Sequence, residues 1–448
     1  MQKLINKISP GLQKIIGNVS WLLSERFLSL LVSLSINIIV IRYLGPDLLG
    51  KISYALGFVT LFASLARLGL DNIVVRNIVR DVDSTTEILG TAFFLRFTSS
   101  ILAIILTITL SSLIHQNSIE THHLIVILSL TIFANNFEVI KFWFDSQVLA
   151  RPMVLTRTFV LFLSSVLKVL FVARQLSISF FAWLYVVESV LTGLIMFYYY
   201  HRYQQSTQQW RVNLAKAKTI LKDSFPLVLS AMAIMIYMKI DLIMLGRLTN
   251  DAEVGNYAAA IRFSEVWYFL PGFVCTSVFP SIVRSRMNSE EEYYQRLQKL
   301  YDLMSWLAWI IIVFITLIAS TLIEQLLGAD FKSAIPILML HIWACPFVFL
   351  MVARGKWLLT ENLTSITFKS SFLGAVSNIV INYFLIPLYG GLGAAIATVI
   401  SYGIHSHLSC LIFPEMRNQF KMLTKAFFIP FRFHQNMLYL KSLKKLVF

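Results

Sequence analysis

Charged side chains are scarce in this chain. Its 448 residues carry 38 Lys and Arg and 23 Asp and Glu, so 14% of positions are charged, where a soluble protein has about 25%. Cysteine is scarcer still: Cys275, Cys345 and Cys410 are the only three, each inside an apolar run. They are expected to be small buried residues, with no disulfide framework implied. A glycine-rich phosphate loop, a His–Glu metal helix and a nucleophile elbow are all missing. The eight His are scattered. His122-His123 and the His405/His407 pair have no acidic or Cys partner at ligand spacing, which makes them interfacial or packing residues. These absences argue against an enzyme, a metal and an organic cofactor. Long hydrophilic stretches are lacking too, which leaves no room for a soluble domain.

Apolar side chains fill the sequence instead: 57% of residues are hydrophobic and mean hydropathy is +0.72. They come in runs such as Leu22–Ile41, Ile101–Leu113, Leu124–Phe137 and Ile310–Ile323. About 20 such residues cross the ~30 Å hydrocarbon layer as a helix. In lipid every backbone N–H and C=O needs an internal partner, so these runs must be helices. A β-barrel would need ~10-residue segments of strict alternation, which are not found. The expected fold is all-α, a polytopic membrane protein of about twelve spans. They lie near 20–41, 52–70, 89–113, 122–140, 153–173, 178–200, 224–246, 256–283, 301–320, 334–351, 366–386 and 392–413.

Lys and Arg test that layout. With a cytoplasmic N-terminus, and with Arg157 and Lys369 at the inner ends of their spans counted as cytoplasmic, 27 of the 38 fall in cytoplasmic segments and six in spans, and Arg42, Lys51, Arg174, Arg247 and Lys332 lie outside. This is the positive-inside pattern, and it puts both termini in the cytoplasm. The net charge of +15 therefore needs no nucleic-acid partner. The N-terminus, from Lys3 to Lys14, lacks the compact apolar core and small-residue site of a cleavable signal peptide. After Pro414 the chain is amphipathic and basic, with Arg417, Lys421, Lys425, Arg432, Lys441, Lys444 and Lys445 against Glu415. A cytoplasmic tail lying on anionic membrane lipids fits that pattern.

The longest hydrophilic break, His201–Lys222, divides the chain. The expected organisation is a six-helix lobe over 1–200, an inter-lobe loop over 201–223, a second lobe over 224–413 and the tail over 414–448. The lobes read as a repeat: aligning Gly50 with Gly255 also aligns Phe58 with Phe263 and Ala55 with Ala260. A parallel repeat brings a pseudo-two-fold along the membrane normal and a site between the halves.

Ionisable groups inside spans are costly and mark pathways or internal pairs. The embedded cations are Arg26, Arg67, Arg96, Lys168, Lys239 and Arg262. The embedded acids are Glu25, Glu138, Glu188, Asp241 and Glu265. Two readings stay open. The groups form structural ion pairs, with Arg262 and Glu265 on one helix face at i, i+3; or they line a solvated cavity, where Arg26, Arg262, Lys168 and Lys239 contact an anionic substrate. On the second reading Glu25, Glu188, Asp241 and Glu265 serve ion coupling or charge pairing. Pro271-Gly272, Pro280, Pro336 and Pro346 predict breaks in the eighth and tenth spans.

Several motifs resemble those of polysaccharide flippases of the Wzx type, in the multidrug/oligosaccharidyl-lipid/polysaccharide exporter superfamily. They are Leu44-Gly45-Pro46-Asp47-x-x-Gly50, Ile240-Asp241-x-x-Met244-Leu245-Gly246 and Leu326-Leu327-Gly328-Ala329-Asp330-Phe331. The most specific is Asn378-x-x-x-Asn382-x-x-x-Ile386-Pro387-x-x-Gly390-x-x-Gly393-Ala394-Ala395-x-Ala397-Thr398. The resemblance implies a two-lobed fold shared with lipid II flippases and multidrug and toxin extrusion antiporters. It implies alternating-access movement of undecaprenyl-diphosphate-linked oligosaccharide across the bacterial inner membrane, with polysaccharide polymerase machinery as a further partner. Lipid II flippases use arginines in spans one and eight toward the diphosphate, and Arg26 and Arg262 occupy those spans here. Their arginine near the outer end of span two has no counterpart, because Arg67 lies at the inner end. A cation-coupled drug antiporter on the same fold is the alternative; it would favour acids over cations in the cavity.

Overall fold

The computed structural model describes residues 10–114, 118–203, 205–287 and 289–439; the tail lysines 441, 444 and 445 lie outside them. All regular structure among the described residues is helical. The chain forms two compact units, Met1–Met235 and Ile236–Phe448.

The first unit contains α1 (Pro10–Ala66), α2 (Leu70–Arg80), α3 (Thr85–Ile114), α4 (Ile119–Ala134), α5 (Val139–Ser146), α6 (Ala150–Ala173), α7 (Ile178–Arg202) and the start of α8 (Leu214–Leu248). The second contains the rest of α8, α9 (Asp251–Glu265), α10 (Phe269–Ser285), α11 (Glu290–Leu326), α12 (Ala334–His341), α13 (Cys345–Thr360), α14 (Thr364–Gly403), α15 (Ser409–Ile412) and α16 (Arg417–Phe427).

Ten helical stretches among the described residues are long and apolar enough to cross a membrane. Two of them run far beyond one crossing: Ser24–Arg80 spans 57 residues and Ser365–Ile412 spans 48. At 1.5 Å per residue, 57 residues measure about 85 Å, nearly three hydrocarbon thicknesses. Besides Gly69 (φ 59°), which turns α1 into α2, each contains a glycine of positive φ within one of its long helices, Gly45 (φ 68°) and Gly390 (φ 54°). Only glycine takes these angles without strain, so both stretches break there into two limbs, consistent with the expected twelve spans.

Proline sets other breaks. A 3₁₀ turn, Val266–Tyr268, separates α9 from α10, and another, Ile342–Ala344, separates α12 from α13. Pro271 and Pro346 stand four residues after Trp267 and Ile342, where the missing N–H leaves a carbonyl without its helical donor. A third break, Asn135–Glu138 between α4 and α5, has no proline and was not expected. There Asn136 Nδ2 donates to Ser100 Oγ of α3 at 2.8 Å, drawing the backbone into the tighter turn.

The aligned positions of the two halves are buried alike within their own units: Ala55 and Ala260 at 0%, Phe58 at 5% and Phe263 at 4% exposure. The hydrophilic segment after α7 is laid along the start of α3. Trp210 Nε1 donates to Tyr200 Oη at 3.1 Å, Asn213 N to Thr91 Oγ1 at 3.0 Å, and Lys216 pairs with Glu87 at 2.8 Å. The tail helix α16 turns Gln419, Met422, Leu423 and Ala426 inward, at the i, i+3, i+4, i+7 spacing of an amphipathic helix. Arg417, Lys421 and Lys425 occupy its exposed side. Its buried side is fastened to α11: Tyr301 Oη donates to Gln419 Oε1 at 2.8 Å and Trp309 Nε1 to the Phe427 carbonyl at 2.9 Å.

Candidate functional site

The most concentrated polar site lies in the second unit around Asp241, which is 4% exposed. Tyr257 Oη of α9 and Thr398 Oγ1 of α14 donate to its Oδ2 at 2.8 and 2.7 Å, and Asn382 Nδ2 donates to Oδ1 at 2.5 Å. Asn382 Nδ2 also donates to Asn378 Oδ1, one turn earlier, at 3.0 Å. The break at Gly390 makes this possible, because it folds the Thr398 limb of α14 back so that both limbs reach one carboxylate. Gly393 permits the close return: a Cβ there would stand 2.3 Å from the Leu385 carbonyl oxygen. Glu253 Oε2 receives the Gly391 N–H at 2.8 Å and caps the returning limb.

Every donor to Asp241 is neutral, and no ion pair among the described residues involves it. Asn382 Oδ1 and Asn378 Nδ2 are buried without a partner. A buried carboxylate without a cation is expensive. The carboxylate is held by hydroxyl and amide donors, and the side chains that hold it also carry oxygens; such a group suits a proton on the carboxylate or a small hard cation bound by oxygen.

Beside this site, Glu265 has Lys239, Asp241 and Arg262 as its electrostatic neighbours. Arg262 and Lys239 are half-buried. The expected structural pair is not closed, for no ion pair joins Arg262 to Glu265 among the described residues. In the first unit Arg26 is exposed, and its neighbour Glu25 accepts from Ser29 Oγ at 2.9 Å. Lys168 is differently placed. Its Nζ lies 2.9 Å from Glu188 Oε1, linking α6 to α7, and 5.7 Å from the Tyr185 ring centre. Arg96 is 3% exposed and reaches Glu138 at 3.4 Å, while Arg67 is exposed.

Two buried charges escaped the sequence reading. Asp302 is 1% exposed and accepts from Gln298 Nε2 and Tyr439 Oη, each at 2.7 Å, with Arg432 at 3.5 Å. Arg354, 2% exposed, lies in α13, which continues to Thr360, nine residues beyond the expected end of the tenth span. Both sit near span ends, where charge is ordinarily assigned to loops. Asn378 and Asn382 did carry a signal, since polar amides at i, i+4 share one helix face.

A family profile described as "Polysaccharide biosynthesis protein" matches residues 15–286, more than half of the chain. The chain belongs to that family. Among its relatives, the "Probable low-salt glycan biosynthesis flippase Agl15" of Haloferax volcanii is 22% identical over 223 residues, covering 50% of this chain and 47% of the relative. The "Probable flippase AglR" of the same organism is 26% identical over 188 residues, covering 40% and 39%. The chain thus aligns with less than half the length of these curated relatives. Among solved structures, a lipid II flippase, MurJ, in an inward closed conformation superposes with a TM-score of 0.71 at 16% identity, over 92% of this chain and 90% of that one. An inward-facing multidrug resistance MATE transporter gives 0.72 at 14%, over 88% and 96%. These likenesses establish the transporter fold of this polysaccharide biosynthesis family member, a multi-pass membrane protein.

Proposed function

We propose that this chain is a flippase, moving a lipid-diphosphate-linked oligosaccharide from the inner to the outer leaflet by alternating access, with a small cation or proton bound at Asp241 as the coupling ion. One observation carries the reading: the second unit holds two unlike charge environments side by side. Asp241 keeps a carboxylate among neutral oxygen-bearing groups, which invites a cation. Arg262 forms no ion pair among the described residues, which leaves its planar fork for a diphosphate. Arg26 is the corresponding cation of the first unit, and Lys239 is a further phosphate contact. Lys168, already paired with Glu188, contributes only if that pair opens. The naming of the Haloferax relatives as probable flippases and the MurJ-like fold support the same conclusion, as does a transporter's need for positions that hold rather than react. A drug antiporter on this fold is less favoured, because an organic cation has no use for Arg26 and Arg262.

The reading places the protein in the cell's plasma membrane with both termini inside. Single cysteines at Gln209 and Asn250 should label from outside only at Asn250. The functional test uses purified protein in liposomes holding an undecaprenyl-diphosphate-linked oligosaccharide, with the sugar read by an impermeant lectin. Protein-dependent appearance of sugar on the opposite leaflet is expected. Export of organic cations with no lipid movement would instead establish the antiporter.

A further inference from the structure

The Arg354 side chain is fully buried without a carboxylate: none of the ion pairs among the described residues includes it. Its Nη1 is aimed at one short segment, donating to the Ser406 carbonyl at 2.9 Å, to Ser409 Oγ at 3.1 Å and to Cys410 Sγ at 3.3 Å. Ser406 lies in Ile404–Leu408, a π-turn in which the Ser409 N–H reaches back five residues to Ile404 O, and Ser409 and Cys410 begin the helix that follows it. A π-turn inserts one residue into an α-helix. At 3.6 residues per turn, the insertion rotates everything on one side of it by about 100° relative to the other. The turn is therefore a register element, and Arg354 donates to one carbonyl inside it, Ser406 O, while Ser409 Oγ donates to its neighbour, His405 O, at 2.6 Å.

Its surroundings say what the register sets. The His405 ring lies 5.6 Å from that of Tyr237, and the Tyr402 ring 4.5 Å from the same residue. Tyr237 stands one turn before Asp241 on α8. A Cβ on Gly374 would stand 3.0 Å from His405 Cβ, and Gly374 is one turn before Asn378 on α14. The turn thus rests on two helices one turn away from two members of the polar cluster, while the helix containing it carries a third, Thr398.

We propose that Arg354 is a positioning residue for the Asp241 cluster. By donating to the Ser406 carbonyl it holds the π-turn, and the π-turn fixes the rotation at which the Thr398 limb meets Asp241. Retaining a bare guanidinium in the interior is explained by this task, since a buried charge contributes little to stability unless it organises its partners. The inference rests on the coupling role proposed for Asp241.

The test compares Arg354→Lys, Arg354→Gln and Arg354→Met in the full-length protein. Each is measured for membrane abundance, for lipid-linked oligosaccharide movement in liposomes, and for the Na⁺ concentration and pH that give half-maximal rate. Labelling of Cys410 by a permeant maleimide, in a Cys275→Ala/Cys345→Ala background, reports the turn directly. Because the carbonyl needs a donor, Gln and Lys should retain the turn better than Met. The Met protein should be abundant, need about ten-fold more cation and label at Cys410 about ten-fold faster. A Met protein with unchanged cation dependence and unchanged labelling would overturn the proposal. So would loss of the Met and Gln proteins from the membrane with the Lys protein fully normal, which would make Arg354 a folding residue alone. A wild-type rate independent of Na⁺ and pH would remove the coupling role of Asp241, and Cys410 labelling alone would then decide whether Arg354 holds the turn.

Discussion

Asp241 and Asn382 are separated by 141 residues in the chain and by 2.5 Å between Oδ1 and Nδ2. A carboxylate held by neutral donors keeps its charge available for an exchangeable partner. Asp241→Asn should therefore abolish cation-stimulated transport while the protein still inserts. Thr398→Val, which removes one hydrogen bond of about 1–3 kcal/mol to the carboxylate, should shift the cation concentration needed by about ten-fold or more. Rates in liposomes at varied Na⁺ and pH check both, and an Asp241→Asn protein with wild-type stimulation would remove the residue from the coupling site.

Arg262 and Glu265 share a helix without forming a pair. Arg262→Ala should thus lower polysaccharide export severely, and adding Glu265→Ala should not restore it. Lys at position 262 should rescue only in part, because a point charge does not reproduce the bidentate fork. Complementation of an export-deficient strain, normalised to protein level, is the measurement; recovery in the double variant would return Arg262 to a structural role.

The opposite outcome is expected for Lys168. Its 2.9 Å contact with Glu188 joins two helices. Reversing one charge should reduce abundance or export, and the swap Lys168→Glu/Glu188→Lys should recover most of it. A swap that inserts normally yet stays inactive would show that the ammonium itself is needed at that position.

Gly390 is constrained twice. Its φ of +54° is unfavourable for any side chain, and a Cβ would stand 2.7 Å from Glu253 Oε2. Gly390→Ala should cost on the order of 1–3 kcal/mol from the backbone alone, visible as a lower thermal midpoint in detergent. An Ala protein as stable as the parent would mean that the break does not need glycine.

Removing the chain after Met416 should lower abundance far more than transport per molecule, because α16 and the residues after it satisfy groups on α11. Arg432→Ala should act in the same direction and more weakly. Quantitative blotting beside transport separates the two effects; normal abundance with no transport would place the tail in the substrate path.

The helical character, the multi-pass fold and the breaks just before Pro271 and Pro346 were legible because hydropathy and a missing N–H act locally, whereas Pro280 and Pro336, also expected to mark breaks, lie inside continuous helices. The Asp241 cluster was legible only in pieces: Asp241 announced itself as a charge in a span, and Asn382 and Thr398 stood in a motif. What joins them is the reversal at Gly390, and no residue-level pattern states which helix a returning limb will face. The Asn135–Glu138 turn was invisible for a related reason, since its cause is a hydrogen bond to Ser100 on another helix. Arg354 and Asp302 were misplaced because a charge near a span end normally finds water, whereas here it finds a carbonyl or a tyrosine.

Asp302 has a further consequence, in time. Its partners Arg432 and Tyr439 are translated 130 and 137 residues later. At roughly 5–20 residues per second, the ninth span waits on the order of ten seconds before anything arrives to neutralise its acid. Assembly of the second unit therefore waits until residues 432–439 have been made, and a nascent chain stalled before residue 432 would hold a half-assembled bundle, exposed to the membrane's quality-control proteases.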